Sequence, residues 1–137
     1  MILIDTGPII ALFEPFDSQH KRCVDVLRQI REPLYTTVPV LTEAFYMLGP
    51  GSQGADALRA FIVKSGLSIW FLDNVSMIHA FELMEKYADH PMDLADASLI
   101  VAAESLTTKR VFTIDRNDFE TYRIKMGHRY CHVDIIG

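Results

Sequence analysis

The chain has 137 residues, half of them hydrophobic, with seven glycines and six prolines. That length and composition exclude a disordered or fibrous chain and predict a single globular domain over 1–137, large enough to bury a core and too short for two. A formal charge of −5 speaks against a partner held by overall basicity, although acids gathered into one metal-loaded pocket would remove that objection. Taken in chain order, Ile2 to Ile4 is a short apolar run that reads as a buried strand closed by Asp5, and Gly7-Pro8 turns the chain into a short apolar helix through Phe13. From Asp17 onward His20, Cys23, Val24, Leu27 and Ile30 repeat with helical spacing, with Lys21, Arg22, Arg28 and Arg31 on the other side.

Leu34 to Thr37 reads as a second strand. Pro39 then opens a helix whose inward stripe is Val40, Leu41, Ala44, Phe45 and Leu48, ending at Gly49-Pro50-Gly51. Ser52 caps the next helix, which runs toward Gly66. A strand is expected over Leu67 to Leu72, helices over about Val75 to Ala88 and Leu94 to Leu106, and a strand over Arg110 to Ile114. A short helical stretch around Phe119 to Tyr122 and a last strand over Cys131 to Ile135 complete the chain. Strands alternating with helices require crossover connections, which predicts an α/β fold around a mainly parallel sheet.

Four acids stand beside apolar runs. Asp5 and Asp115 each close a strand, and in open α/β sheets the crevice beyond the carboxyl ends of strands is where ligands bind. Each also suits a turn or a helix cap. Asp96 precedes Leu99 and Ile100 by three and four residues, which turns it toward the core side of its helix; with Asp93 it also suits a capping pair. Glu43 flanks the buried stripe of its own helix. If these acids converge, each pair about 4 Å apart repels by about 4 kcal/mol at an effective dielectric of 20, so the site must take up protons or a cation. Hard oxygen donors without convergent thiolate or imidazole favour Mg²⁺ or Mn²⁺. Two such ions among carboxylates form an apparatus for phosphodiester hydrolysis, one activating water and the other steadying the leaving oxygen.

The ordered set LIDTGPIIALF, PVLTEAFYML, MDLADASLIVAAE and VFTIDRNDFETYR resembles a PIN domain, of the compact kind found in VapC-type toxins. The resemblance runs from Ile2 to Tyr122. It implies a three-layer α/β/α sandwich and metal-dependent cleavage of RNA. The family's acids match Asp5, Glu43, Asp96 and Asp115, as catalytic residues and as ligands for two Mg²⁺ or Mn²⁺ ions. Asp118 and Asp93 match supporting acids, and Thr6 and Thr113 resemble hydroxyl residues that orient neighbouring carboxylates. The resemblance also implies a homodimer and an antitoxin whose tail occupies the acidic groove.

RNA would need cations near such a pocket, and Arg116, next to Asp115, is the best placed; Lys109, Arg110, Lys21 and Arg22 are weaker choices. His128, Cys131 and His132 lack a second ligand pair for zinc, His79 and His90 read as surface or edge residues, and Trp70 reads as core. The early break at Asp5 gives no export signal, and no run approaches the roughly 18 apolar residues of a membrane span. Both point to a cytoplasmic chain, with no membrane partner, whose Cys23 and Cys131 are free thiols. The competing reading is a non-catalytic PIN-like module that binds RNA or protein. An aspartyl-phosphate receiver domain is disfavoured because Gly7 stands where a second acid would be needed.

Overall fold

The computed structural model describes residues 1–137. Its first strand, β1 (Ile2–Ile4), is fully buried, and Asp5 caps helix α1 (Thr6–Phe13), so Gly7 and Pro8 belong to the first helical turn rather than to a separate turn before it. Helix α2 (His20–Gln29) leads to β2 (Leu34–Thr37). Helix α3 (Val38–Leu48) follows at once and ends at Gly49, whose φ of +94° only glycine adopts readily. Ser52 caps α4 (Gln53–Val63) by accepting from the Ala55 amide. Strand β3 (Ser68–Trp70) and helices α5 (Asn74–Lys86) and α6 (Leu94–Leu106) precede β4 (Arg110–Phe112). The chain closes with the short helix α7 (Arg116–Thr121), an antiparallel ribbon of β5 (Arg123–Met126) and β6 (Arg129–His132), and β7 (Asp134–Ile136).

Five strands lie in one sheet in the order β3-β2-β1-β4-β7, and every pairing in it is parallel. Right-handed crossovers from β1 to β2 to β3 set α1 to α4 on one face, and the return from β3 to β4 sets α5 and α6 on the other. The packing agrees: α1 touches α2, α3 and α4, while α5 packs along α6. The expected α/β sandwich is therefore what forms. Helix α6 is the most buried helix, with an unbroken run from Ala97 to Ala103 inside, and its small residues let it lie close to the sheet.

One expected element is wrong. The last strand does not run from Cys131 to Ile135; Cys131 and His132 belong to the ribbon, and the sheet strand starts at Asp134. The ribbon buries only Ile124 completely, so its apolar signal is a single residue wide among cations. Strand β4 is also shorter than expected, ending at Phe112. Thr113 nevertheless stays tied to the sheet edge through its amide and the Ile136 carbonyl.

Candidate active site

The chain runs outward from β1 to β2 and β3, then returns to the other side of β1 as β4, so the crevice between β1 and β4 is the topological switch point. Asp5 leaves the carboxyl end of β1 there, its amide bonded to the Phe112 carbonyl. A pocket of about 340 Å³ opens at this point, lined by Asp5, Thr6, Glu43, Asp93, Asp96, Asp115 and Asp118, with Gly7, Ile10, Met47 and Ile114 as its apolar part. Gly7 lets α1 approach the loop after β4; a Cβ there would sit 2.9 Å from Ile114 Cγ1.

Three of the acids are helix caps as well as pocket residues. Asp5 Oδ1 accepts from the Thr6 amide, Asp93 Oδ1 from the Asp96 amide and Asp115 Oδ1 from the Asp118 amide. A capping aspartate holds a backbone N–H at the start of its helix, which fixes its carboxyl group at the end of an element. The hydroxyls of Thr6 and Thr113, expected to orient neighbouring carboxylates, are divided between two acids. The Thr6 hydroxyl donates to Glu43 Oε1 at 2.8 Å, not to Asp5. Thr113 serves Asp5, donating to its Oδ2 at 2.9 Å while accepting from the Asp115 amide.

Two partners lie outside that expectation. The Tyr122 hydroxyl donates to Asp96 Oδ2 at 2.8 Å, with the tyrosine ring wholly buried between Tyr87, Phe119 and His90. His90 Nε2 lies 2.7 Å from Asp118 Oδ1, so His90 is not an ordinary edge residue. The sequence signal for Tyr122 is faint: a ring suited to the core that carries one polar end in need of a partner. His79 likewise pairs with Glu104, remote from the pocket lining.

None of the cations expected nearby is among the residues that line the pocket. Arg116 donates to the Gly137 carbonyl. Arg110 pairs with Glu32 and Asp134 at the amino end of β4, opposite the crevice, and Lys109 precedes it. Lys21 and Arg22 are exposed in the first turn of α2.

Three acids of this poorly solvated pocket keep their protons to higher pH than an ordinary carboxylate does. Burial pushes Asp5 up to about 6 against the pull of its Thr6 and Thr113 hydrogen bonds, and Asp115 and Asp93 add repulsion. Asp96 is pushed up to about 8, by burial first and then by Asp93, with the Tyr122 hydrogen bond opposing. Asp115 is raised, by burial first and then by Asp118. The Tyr122 hydroxyl is raised by burial and by Asp96, so it stays a donor. A cation among these oxygens would offset their mutual repulsion, and the donor set suits a hard divalent ion. No three acids, imidazoles or thiols are grouped tightly enough to hold one ion as they stand. The residues therefore fit a metal by donor chemistry, not as a ready-made cage.

Fold and pocket define a class: a doubly wound α/β domain with a carboxylate-lined crevice at its switch point. The comparisons narrow it. A family model described as the PIN domain matches residues 2–125, and the chain belongs to that family. Ribonuclease VapC26 of Mycobacterium tuberculosis (strain ATCC 25618 / H37Rv) is 26% identical over 132 residues, which cover 94% of this chain and 97% of that protein. Among solved structures, VapC20 of Mycobacterium tuberculosis, a toxin that cleaves the Sarcin-Ricin loop, aligns with a TM-score of 0.78 at 17% identity, over 85% of this chain and 92% of that one. A toxin-antitoxin complex from Klebsiella pneumoniae aligns with a TM-score of 0.67 at 18% identity, over 88% and 92%. These structural likenesses establish the fold.

Proposed function

We propose that this chain is an endoribonuclease, dependent on Mg²⁺ or Mn²⁺, and the toxin of a toxin-antitoxin pair. The observation that carries the reading is the pocket at the switch point, where Asp5, Glu43, Asp93, Asp96, Asp115 and Asp118 all meet. Likeness to a ribonuclease along nearly the whole length of both chains supports the substrate class. The toxin-antitoxin complex of like fold supports an antitoxin as partner. A second copy of the chain is the other partner in this reading.

A bound divalent ion, or a pair of them, supplies Lewis-acid activation of water and phosphate. The chain's own groups do the rest. Asp5, Asp96 and Asp115 are the proposed ligands. Thr113 fixes the second oxygen of Asp5, and Tyr122 fixes one oxygen of Asp96. Thr6 holds one Glu43 oxygen, so the other can ligate or accept a proton from water. Asp93 and Asp118 add charge at the rim, and His90 restrains Asp118.

The test is cleavage of RNA with Mn²⁺ by the wild type beside Asp5→Asn and Asp96→Asn, all purified alike. We expect cleavage by the wild type and a loss of at least two orders of magnitude in both variants. Equal cleavage by all three means contamination and sinks the reading. RNA binding without cleavage by the wild type would favour the non-catalytic module.

A further inference from the structure

Six carboxylates around one pocket repel a phosphate backbone, so RNA that reaches them must be held by cations outside. Arg116, Arg110 and Arg59 are engaged with protein partners. The β5–β6 ribbon is different. Residues 122–133 carry Arg123, Lys125 and Arg129 with His128 and His132, and no acid, in a chain that has 18 acids against 13 Lys and Arg.

Register decides which way these side chains face. Lys125 lies opposite Tyr130 and Arg123 opposite His132, whereas Ile124 lies opposite Cys131. Directly paired residues share a face and the faces alternate along a strand. Ile124 is fully buried and β5 packs on α6, so the ribbon turns Lys125, Tyr130 and His132 away from the core. Tyr130 is 59% exposed, and Lys86 from α5 stands 4.4 Å from its ring centroid. Arg129, exposed beside the turn, lies opposite Met126 and so on the face of Ile124. Arg123 has a structural task, donating to the carbonyls that end α7. Glu104 of α6 is taken by His79 and by the Lys125 amide.

The ribbon also begins one residue after Tyr122, whose hydroxyl reaches Asp96. Lys125 follows Tyr122 by three residues, at most ~10 Å along an extended strand. We propose that the outward side of the β5–β6 ribbon is a docking track for single-stranded RNA, with Lys125 and Lys86 on phosphates and Tyr130 stacking on a base. The ligand's identity rests on the ribonuclease reading above. An exposed ring between cations matches a nucleic-acid strand, which offers stacking faces and regularly spaced charge, better than an acidic peptide, which offers charge alone.

The experiment measures binding of a labelled single-stranded oligoribonucleotide by fluorescence anisotropy across a salt series in EDTA, so that the outcome does not depend on catalysis. The full-length wild type is compared with the double variant Lys86→Gln/Lys125→Gln and with Tyr130→Ala, each checked for an unchanged melting temperature. We expect about tenfold weaker binding for the double variant and a salt slope smaller by about 1.4, the loss of two contacts on a single strand. Tyr130→Ala should weaken binding about tenfold with the slope retained. Unchanged affinity and slope in the variants, or no RNA binding by the wild type, overturns the proposal. So does ribbon-dependent binding of poly-glutamate with none of RNA. If the wild type never cleaves yet binding depends on the ribbon, the docking track stands and the nuclease reading falls; cleavage with ribbon-independent binding gives the reverse.

Discussion

Thr113 stands between two acids, donating to Asp5 and accepting from the amide of Asp115. It is fully buried, so valine would fit its volume while leaving the Asp115 N–H without that partner and one Asp5 oxygen unrestrained. Partners of this kind typically account for 10- to 100-fold in metal affinity or activity. Thr113→Val is therefore expected to weaken Mn²⁺ binding by about that factor in titration calorimetry, with Thr113→Ser restoring it. Tyr122→Phe tests the same logic at the other acid. The ring keeps its buried packing and only the hydroxyl is lost, so the melting temperature should change little. Mn²⁺ affinity should fall about tenfold. Equal affinity in wild type and Tyr122→Phe would mean that Asp96 needs no steering.

The acids of the pocket could be found in the sequence because an acid beside a buried run has few structural excuses. Capping is one such excuse, and for Asp5, Asp93 and Asp115 it holds together with the pocket position. Tyr122 and His90 were not legible, since their partners lie 26 and 28 residues away in the chain and no local spacing relates them. The acid that Thr6 serves is hidden for the same reason: Glu43 comes within reach only when α3 packs on α1.

At the scale of elements, the helices followed from their periodicity and caps, and the parallel sheet from the helices between its strands. The β5–β6 ribbon escaped because a two-stranded ribbon with one solvent face shows only a short period-two pattern. Helix α6 carries the most informative test at this scale. Its cap, Asp93, satisfies the Asp96 amide and at the same time repels the Asp96 carboxylate. Asp93→Ala removes about 1 kcal/mol of capping, but it also relieves the second-largest cause of the raised Asp96 value. Urea denaturation should show the variant losing stability at pH 5, where Asp96 is protonated and only the cap matters. The loss should be smaller at pH 8, where relief of repulsion offsets it. An equal loss at both values would mean that the two carboxylates do not interact.

For the molecule as a whole, the pocket makes stability depend on pH and on metal in opposite senses. Asp5 and Asp96 have folded values of about 6 and about 8 against an ordinary value of 3.8, so between these limits the native state holds protons that the unfolded chain has released. Stability must then fall as pH rises, through the window from about 4 to about 8, and level off above it. Divalent metal binds the ionised carboxylates and is excluded by their protons, so its stabilisation grows across the same window. At 100 times its dissociation constant it contributes about 2.7 kcal/mol. Melting temperature in EDTA should accordingly be lower at pH 8 than at pH 5, and Mn²⁺ should raise it far more at pH 8. Asp96→Asn removes the titration with the highest value, so in EDTA the variant should lose most of the slope above pH 6. A wild type whose melting temperature rises from pH 5 to pH 8 in EDTA would show that the pocket acids are ionised without help. An Asp96→Asn variant that keeps the full slope would assign the effect to other groups.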